Sequence, residues 1–152
     1  MTVWWITLAS SYLLCLVAGM NAKTVYSNGY YTKKYNKFFS FMSVAILVLV
    51  AGLRSGIGDT PTYIQGYKTD APSTIAGSIK LLFSGKKDAG FYFYQGILKS
   101  IVNNPNVFIF VTSLITIVLI FITYYKYSQL LELSVFLFIT TGCYLVTMNG
   151  IR

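Results

Sequence analysis

Residues 100–125 read SIVNNPNVFIFVTSLITIVLIFITYY, twenty-six positions without a charged side chain. A helix crosses the hydrocarbon core of a bilayer with about 20 residues, so this stretch is a membrane span. Working outward from it, three more charge-free runs appear: residues 1–22, 38–53 and 133–151. The run at 38–53 is short, about 24 Å at ~1.5 Å per residue. Lys37 and Arg54 flank it, and long basic side chains that reach outward extend it to a credible span. The first run has no Lys or Arg ahead of it, and Trp4 and Trp5 stand where an interfacial belt belongs. It reads as a retained helix rather than a cleaved leader.

The expected fold is therefore all-α: a polytopic integral membrane protein of about four transmembrane helices. The spans are placed at 2–21, 38–53, 105–125 and 131–149, within a single transmembrane domain over 1–152. An outer loop, 54–104, carries interfacial amphipathic helices. Composition agrees. Of 152 residues 55% are hydrophobic and 11% charged, against roughly 25% charged in soluble domains. Mean hydropathy is +0.62. No histidine is present, which excludes imidazole acid–base chemistry and a Ser-His-Asp triad. Cys15 and Cys143 stand alone in apolar runs, with no metal-ligand spacing. No metal and no cofactor is expected.

Twelve Lys and Arg stand against four Asp and Glu, a net charge of +8. The basic residues lie mostly in loops, as membrane topology requires, and nucleic acid is not an expected partner. The loop at 21–37 carries Lys23, Lys33, Lys34 and Lys37 and no acid. It is assigned to the cytoplasm, which puts the N-terminus, the 54–104 loop and Arg152 outside.

That outer loop is too long for a plain connection, and loops of its size are usually functional. It holds Asp59, Asp70 and Asp88 and all three prolines. Pro61 suits the first position of a helix capped by Asp59 or Thr60, which would bring Arg54 and Asp59 together at the membrane surface. Residues 73–84 place Ile75, Ile79, Leu82 and Phe83 on one face. Residues 91–102 place Phe91, Tyr94, Leu98, Ile101 and Val102 on one face, with Asp88 as a cap. Both patterns fit helices along the interface.

The string AGLRSGIGDT at 51–60, followed by Tyr63, resembles the EpsG family, polysaccharide polymerases of the Wzy type in bacterial capsule and exopolysaccharide synthesis. So does Asp88-Ala89-Gly90-Phe91, where the family more often carries Glu, and the ending Asn149-Gly150-Ile151-Arg152. The resemblance runs along nearly the whole chain. Such polymerases are usually more than twice as long, so the chain is expected to be an N-terminal portion, inactive alone. The resemblance implies transfer of a glycan from a lipid-pyrophosphate donor to a lipid-linked repeat unit on the outer face of the bacterial cytoplasmic membrane. The implied partners are the lipid-pyrophosphate-linked oligosaccharide, the bilayer and other polysaccharide-export proteins. In that reaction Asp59 is the candidate general base. Arg54 and Arg152 are candidate phosphate binders, since arginine offers a fixed fork of donors. Tyr63 and Asp88 are candidate substrate-binding residues.

Two other readings remain at this level. One is a polysaccharide transporter or flippase fragment, whose substrate path would be marked by polar residues within spans such as Thr112, Ser113 and Thr116. The other is a non-catalytic membrane subunit whose outer loop binds a partner.

The topology predicts a labelling pattern. In a variant lacking Cys15 and Cys143, an impermeant thiol reagent should modify a cysteine placed at Ser84 in intact cells and spare one placed at Ser27. Labelling at Ser27 alone would invert the topology.

Overall fold

The computed structural model describes residues 2–27, 30–83, 85 and 87–149. Helix α1 (Thr2–Met20) leads into an antiparallel hairpin, β1 (Lys23–Ser27) and β2 (Tyr30–Lys34). Then follow α2 (Lys37–Gly52), three short helices α3 (Thr60–Thr69), α4 (Ile75–Leu82) and α5 (Ala89–Ile101), the long α6 (Pro105–Tyr127), and α7 (Leu131–Thr140) with α8 (Cys143–Asn149). The protein is mostly helical.

Among the described residues, α1 and α6 are long and apolar enough to cross a membrane. The α7–α8 pair forms a third candidate, bent by 58°. The bend falls at Gly142, whose φ of 81° a side chain would resist. The apolar α2 has 16 residues. The chain is a membrane protein of this helical kind. The expected run at 131–149 is thus two helices, and the 21–37 loop contains a hairpin with register Lys23↔Lys34 to Ser27↔Tyr30.

Helix α1 packs as membrane helices do, with small residues inward and large ones outward. The buried positions of α1 are Thr7, Ser11, Cys15 and Ala18, one stripe at helical spacing. They meet α2, where Cys15 Sγ donates to Ser43 Oγ (3.2 Å) and Ser43 Oγ to the Ser11 carbonyl (3.1 Å). Ile6, Leu13, Phe41, Leu49, Leu119 and Ile122 are exposed. In water these residues would form a large apolar surface; in a bilayer they face lipid. The α2, α6, α7 and α8 helices share a core that includes Leu47, Val48, Ile117, Val135, Phe138 and Tyr144. Tyr144 Oη donates to the Leu47 carbonyl at 2.6 Å, tying α8 to α2.

The loop at 54–104 is folded. A second core joins α3, α5 and the start of α6 around Phe108, which stacks on Tyr67 at 4.8 Å and meets Phe91 and Tyr94 edge-on or tilted. Such pairs contribute about 0.5–1.5 kcal/mol each beyond area burial. Tyr67 Oη donates to the Val102 carbonyl (2.8 Å). Lys99 Nζ donates to the Lys68 and Ala71 carbonyls (3.0 and 2.8 Å), satisfying the C-terminal end of α3.

The α4 helix turns its apolar face outward: Ile75, Ile79, Leu82 and Phe83 are exposed, Phe83 at 83%. Its buried residue is Ser78. This suits a helix with one side on the protein and the other in the membrane interface. Ser78 reaches α5 at Gly96, where a Cβ would collide with Ser78 Oγ and lie 2.8 Å from Pro72 Cγ and 3.0 Å from Ser78 Cβ.

Gly96→Ala should therefore loosen α4. Overpacking costs about 1–3 kcal/mol, so the unfolding midpoint in detergent should fall by several degrees. Gly90→Ala, on the same helix with nothing near its would-be Cβ, should leave the midpoint unchanged or raise it. Equal effects from the two substitutions would rule out close α4–α5 packing.

Candidate functional site

The site is built on the turn at 53–59, between α2 and α3. Gly58 has φ +57°, and a Cβ there would collide with the side chain of Asn149. Only glycine lets the last residue of α8 rest on this turn. Pro61 then opens α3, as its preset φ favours.

Arg54 turns inward from the end of α2 and is buried at 7% exposure. Its Nε donates to Thr60 Oγ1 (2.9 Å), and Nη1 donates to the Ala51 carbonyl (2.9 Å) and Ser113 Oγ (3.1 Å). Nη2 donates to the Met148 carbonyl (2.6 Å). One guanidinium thus joins α2, the start of α3, the middle of α6 and the end of α8. Four of its five N–H groups are used, and among the described residues no carboxylate pairs with it. Burial is the largest influence on its pKa and lowers it from the ordinary arginine value; a guanidinium nonetheless keeps its proton. The outward reach expected of Arg54 as the end of a short span does not occur. Four fixed oxygens hold the charge inside instead.

Two cavities border Arg54. One, of about 310 Å³, lies between α2 and the start of α6, with Gly52, Val107 and Phe110 in its walls. The other, of about 680 Å³, lies between the start of α1 and the 53–57 turn, with Trp4, Leu49 and Ile57. Both have mostly apolar walls, with Ser55 in each and Asn106 in the first.

Asp59 stands at the N-cap position of α3, but its side chain makes no capping bond and is exposed. Thr60, buried, instead donates to the Ile57 carbonyl (2.7 Å) while accepting from Arg54. The expected Asp59–Arg54 partnership is absent among the described residues, because Thr60 occupies the inward position. Asp88, expected to cap α5, makes no side-chain cap bond either. It adopts φ 61°, and its carbonyl accepts from the Phe91 and Tyr92 amides. Arg152 lies outside the described residues, as does Ser84.

Tyr63 is buried at 5% exposure and its hydroxyl donates to the Asn149 carbonyl. With Asp88 it lines a third cavity, of about 190 Å³, between α3 and α5. Thr62, Gly66, Asp70, Phe91, Tyr92 and Gln95 complete the wall. The sequence does not single out Gln95, and it offers Thr60 only as an alternative cap and Ser113 only as a polar residue within a span. The signal for Gln95 was a lone amide in an otherwise apolar and aromatic helix. For Ser113 no local signal exists, since hydroxyls in spans usually bond their own backbone.

The two carbonyls that close the site, Met148 and Asn149, are adjacent at the end of α8. The signature turn and the far end of the chain therefore form one structure. The model of the EpsG family matches residues 37–152, from the start of α2 onward. No curated protein and no solved structure matches the chain. The match spans well over half of the residues, and it takes in the Arg54 turn, the folded loop and the α6–α8 helices: the chain belongs to the EpsG family, membrane proteins of polysaccharide biosynthesis.

Proposed function

We propose that the protein acts as a polysaccharide polymerase of the bacterial cytoplasmic membrane, transferring a glycan from a lipid-pyrophosphate donor to a lipid-linked repeat unit on the outer face. The observation that carries this reading is Arg54: a buried cation with no carboxylate partner among the described residues, bordering two cavities with mostly apolar walls at one end of α1, α2 and α6. An unneutralised charge in a low-dielectric setting attracts an anion strongly. Apolar walls beside it suit the lipid that carries the pyrophosphate.

In this reading a hydroxyl of the acceptor sugar attacks the anomeric carbon of the donor. The new C–O bond forms as the bond to the pyrophosphate breaks, and the electron pair leaves with the lipid pyrophosphate. The charge developing there is stabilised by Arg54. The hydroxyl proton passes to Asp59, whose exposed carboxylate has no capping bond to give up. Arg54 has a second duty, since its four internal bonds fix the turn that presents Asp59.

The test is polymer synthesis in cells that depend on this protein, read with membrane abundance. Asp59→Asn keeps the shape and removes the base. A lost base costs about 10²–10⁴-fold in rate, so single repeat units should accumulate at normal protein level. Normal polymer would reduce Asp59 to a surface residue, and accumulation of unflipped precursor on the inner face would favour a flippase. Arg54→Lys keeps the charge but cannot reach four separate oxygens, and a buried unpaired group costs about 1–3 kcal/mol. Both abundance and polymer should fall. Ser113→Ala removes one partner and leaves the cation, so abundance should fall less and polymer should persist.

A further inference from the structure

We infer that the cavity between α3 and α5 is a binding subsite for a single sugar ring, with Asp70, Asp88 and Gln95 taking its hydroxyls and Tyr92 and Phe91 its apolar face. The inference rests on the polymerase reading for the glycan's identity as substrate. Its geometry is independent of that reading.

Gln95 carries the argument. Its side chain is 1% exposed, it lines the cavity, and its Oε1 has no hydrogen-bond partner among the described residues. A buried amide oxygen left unpaired costs free energy that natural structures rarely leave uncompensated. A hydroxyl of a ligand at this wall would be the donor it lacks. Two carboxylates stand at the same wall. Asp70, at the C-terminal end of α3, already accepts from the Thr69 hydroxyl through Oδ1 (2.8 Å), which leaves Oδ2 available among the described residues. Asp88, at the start of α5, is exposed. Its left-handed backbone, φ 61°, is uncommon for a residue other than glycine, and such outliers cluster at functional sites.

Acceptors on the walls with aromatic rings beside them describe a carbohydrate site: sugar hydroxyls donate, and the C–H face of the ring rests on an aromatic. The volume, about 190 Å³, is below the roughly 300–1,000 Å³ that takes drug-sized ligands, so one ring is admitted and a whole repeat unit is not. A divalent cation fits less well. Calcium takes 6–8 oxygen ligands, and no three His, Cys, Asp or Glu among the described residues are placed to hold a metal. The cavity also joins the Arg54 site structurally. Tyr63 lines it while donating to the Asn149 carbonyl, next to the Met148 carbonyl that Arg54 holds. Tyr63 thus links the wall of this cavity to the α8 end that rests on the turn bearing Asp59.

The experiment is saturation-transfer difference NMR on the full chain in lipid nanodiscs. The probes are repeat-unit oligosaccharides released from the source cell's own polymer, with and without EDTA. Wild type should transfer saturation to the protons of one terminal sugar, with EDTA making no difference. Asp70→Asn and Asp88→Asn, both at exposed positions, should each weaken binding about tenfold or more, as loss of a charged hydrogen-bond partner does. Tyr92→Ala should remove the ring-face signal. Lys80→Gln, outside the cavity, should change nothing. No transfer to wild type, equal binding by all the cavity variants, or a signal abolished by EDTA would each overturn the subsite. The polymerase reading fails separately: normal polymer in Asp59→Asn, with sugar binding intact, would sink that reading and leave the subsite standing.

Discussion

One buried guanidinium sets the order of everything at this end of the molecule. Arg54 is drawn out of water at a cost of several kcal/mol, and the only return is four oxygens in fixed places. Those oxygens belong to α2, the first residue of α3, α6 and the last turn of α8. The helices cannot slide past one another without exposing the charge or leaving it unpaired. What would elsewhere be a weak bundle of apolar helices, without a hydrophobic force between them in lipid, is given a defined register at one end. The same constraint decides which side chain of the turn looks inward. Thr60 does, and Asp59 is left facing out.

The folded loop extends that order beyond the Arg54 turn. Phe108 stands at the first turns of α6 and gathers Tyr67, Phe91 and Tyr94 around it, so α3 and α5 are fixed to the end of a long helix rather than to each other alone. Lys99 and Tyr67 bond backbone carbonyls at the ends of the partner helices. The space left between α3 and α5 is therefore a bounded cavity with polar groups on a rigid wall, the kind of setting in which a few placed hydrogen-bonding groups can orient a ligand.

Much of this was legible in the chain. Charge-free runs give the long helices, because length and apolarity alone decide what a bilayer accepts. Pro61 and Pro105 mark helix starts for local steric reasons, and α3 and α6 begin there. The AGLRSGIGDT string pointed to the family from ten residues. What could not be read is what depends on distance along the sequence. Arg54 meets Ser113 and Met148 across 59 and 94 residues, so a flanking basic residue looked like one that reaches for water. Asp59 and Asp88 had the residue type and position of caps, yet type does not say whether the carboxylate bends back. The α4 face read correctly as amphipathic, while the side facing the protein turned out to be the one with Ser78. The hairpin was hidden by its lysines, although Asn28-Gly29 between Val-Tyr-rich flanks is a strong hairpin signal.

The sixteen residues of α2 carry a consequence for the lipid around them. At ~1.5 Å per residue the helix is about 24 Å long, against a hydrocarbon core of about 30 Å. Arg54 faces inward, so no long side chain at that end makes up the shortfall. For α2 to cross, the leaflet beside it must sink. A dimple there would lower the headgroup layer toward the guanidinium, and under the proposed function it would bring a lipid-borne pyrophosphate to Arg54 without lifting it from the leaflet.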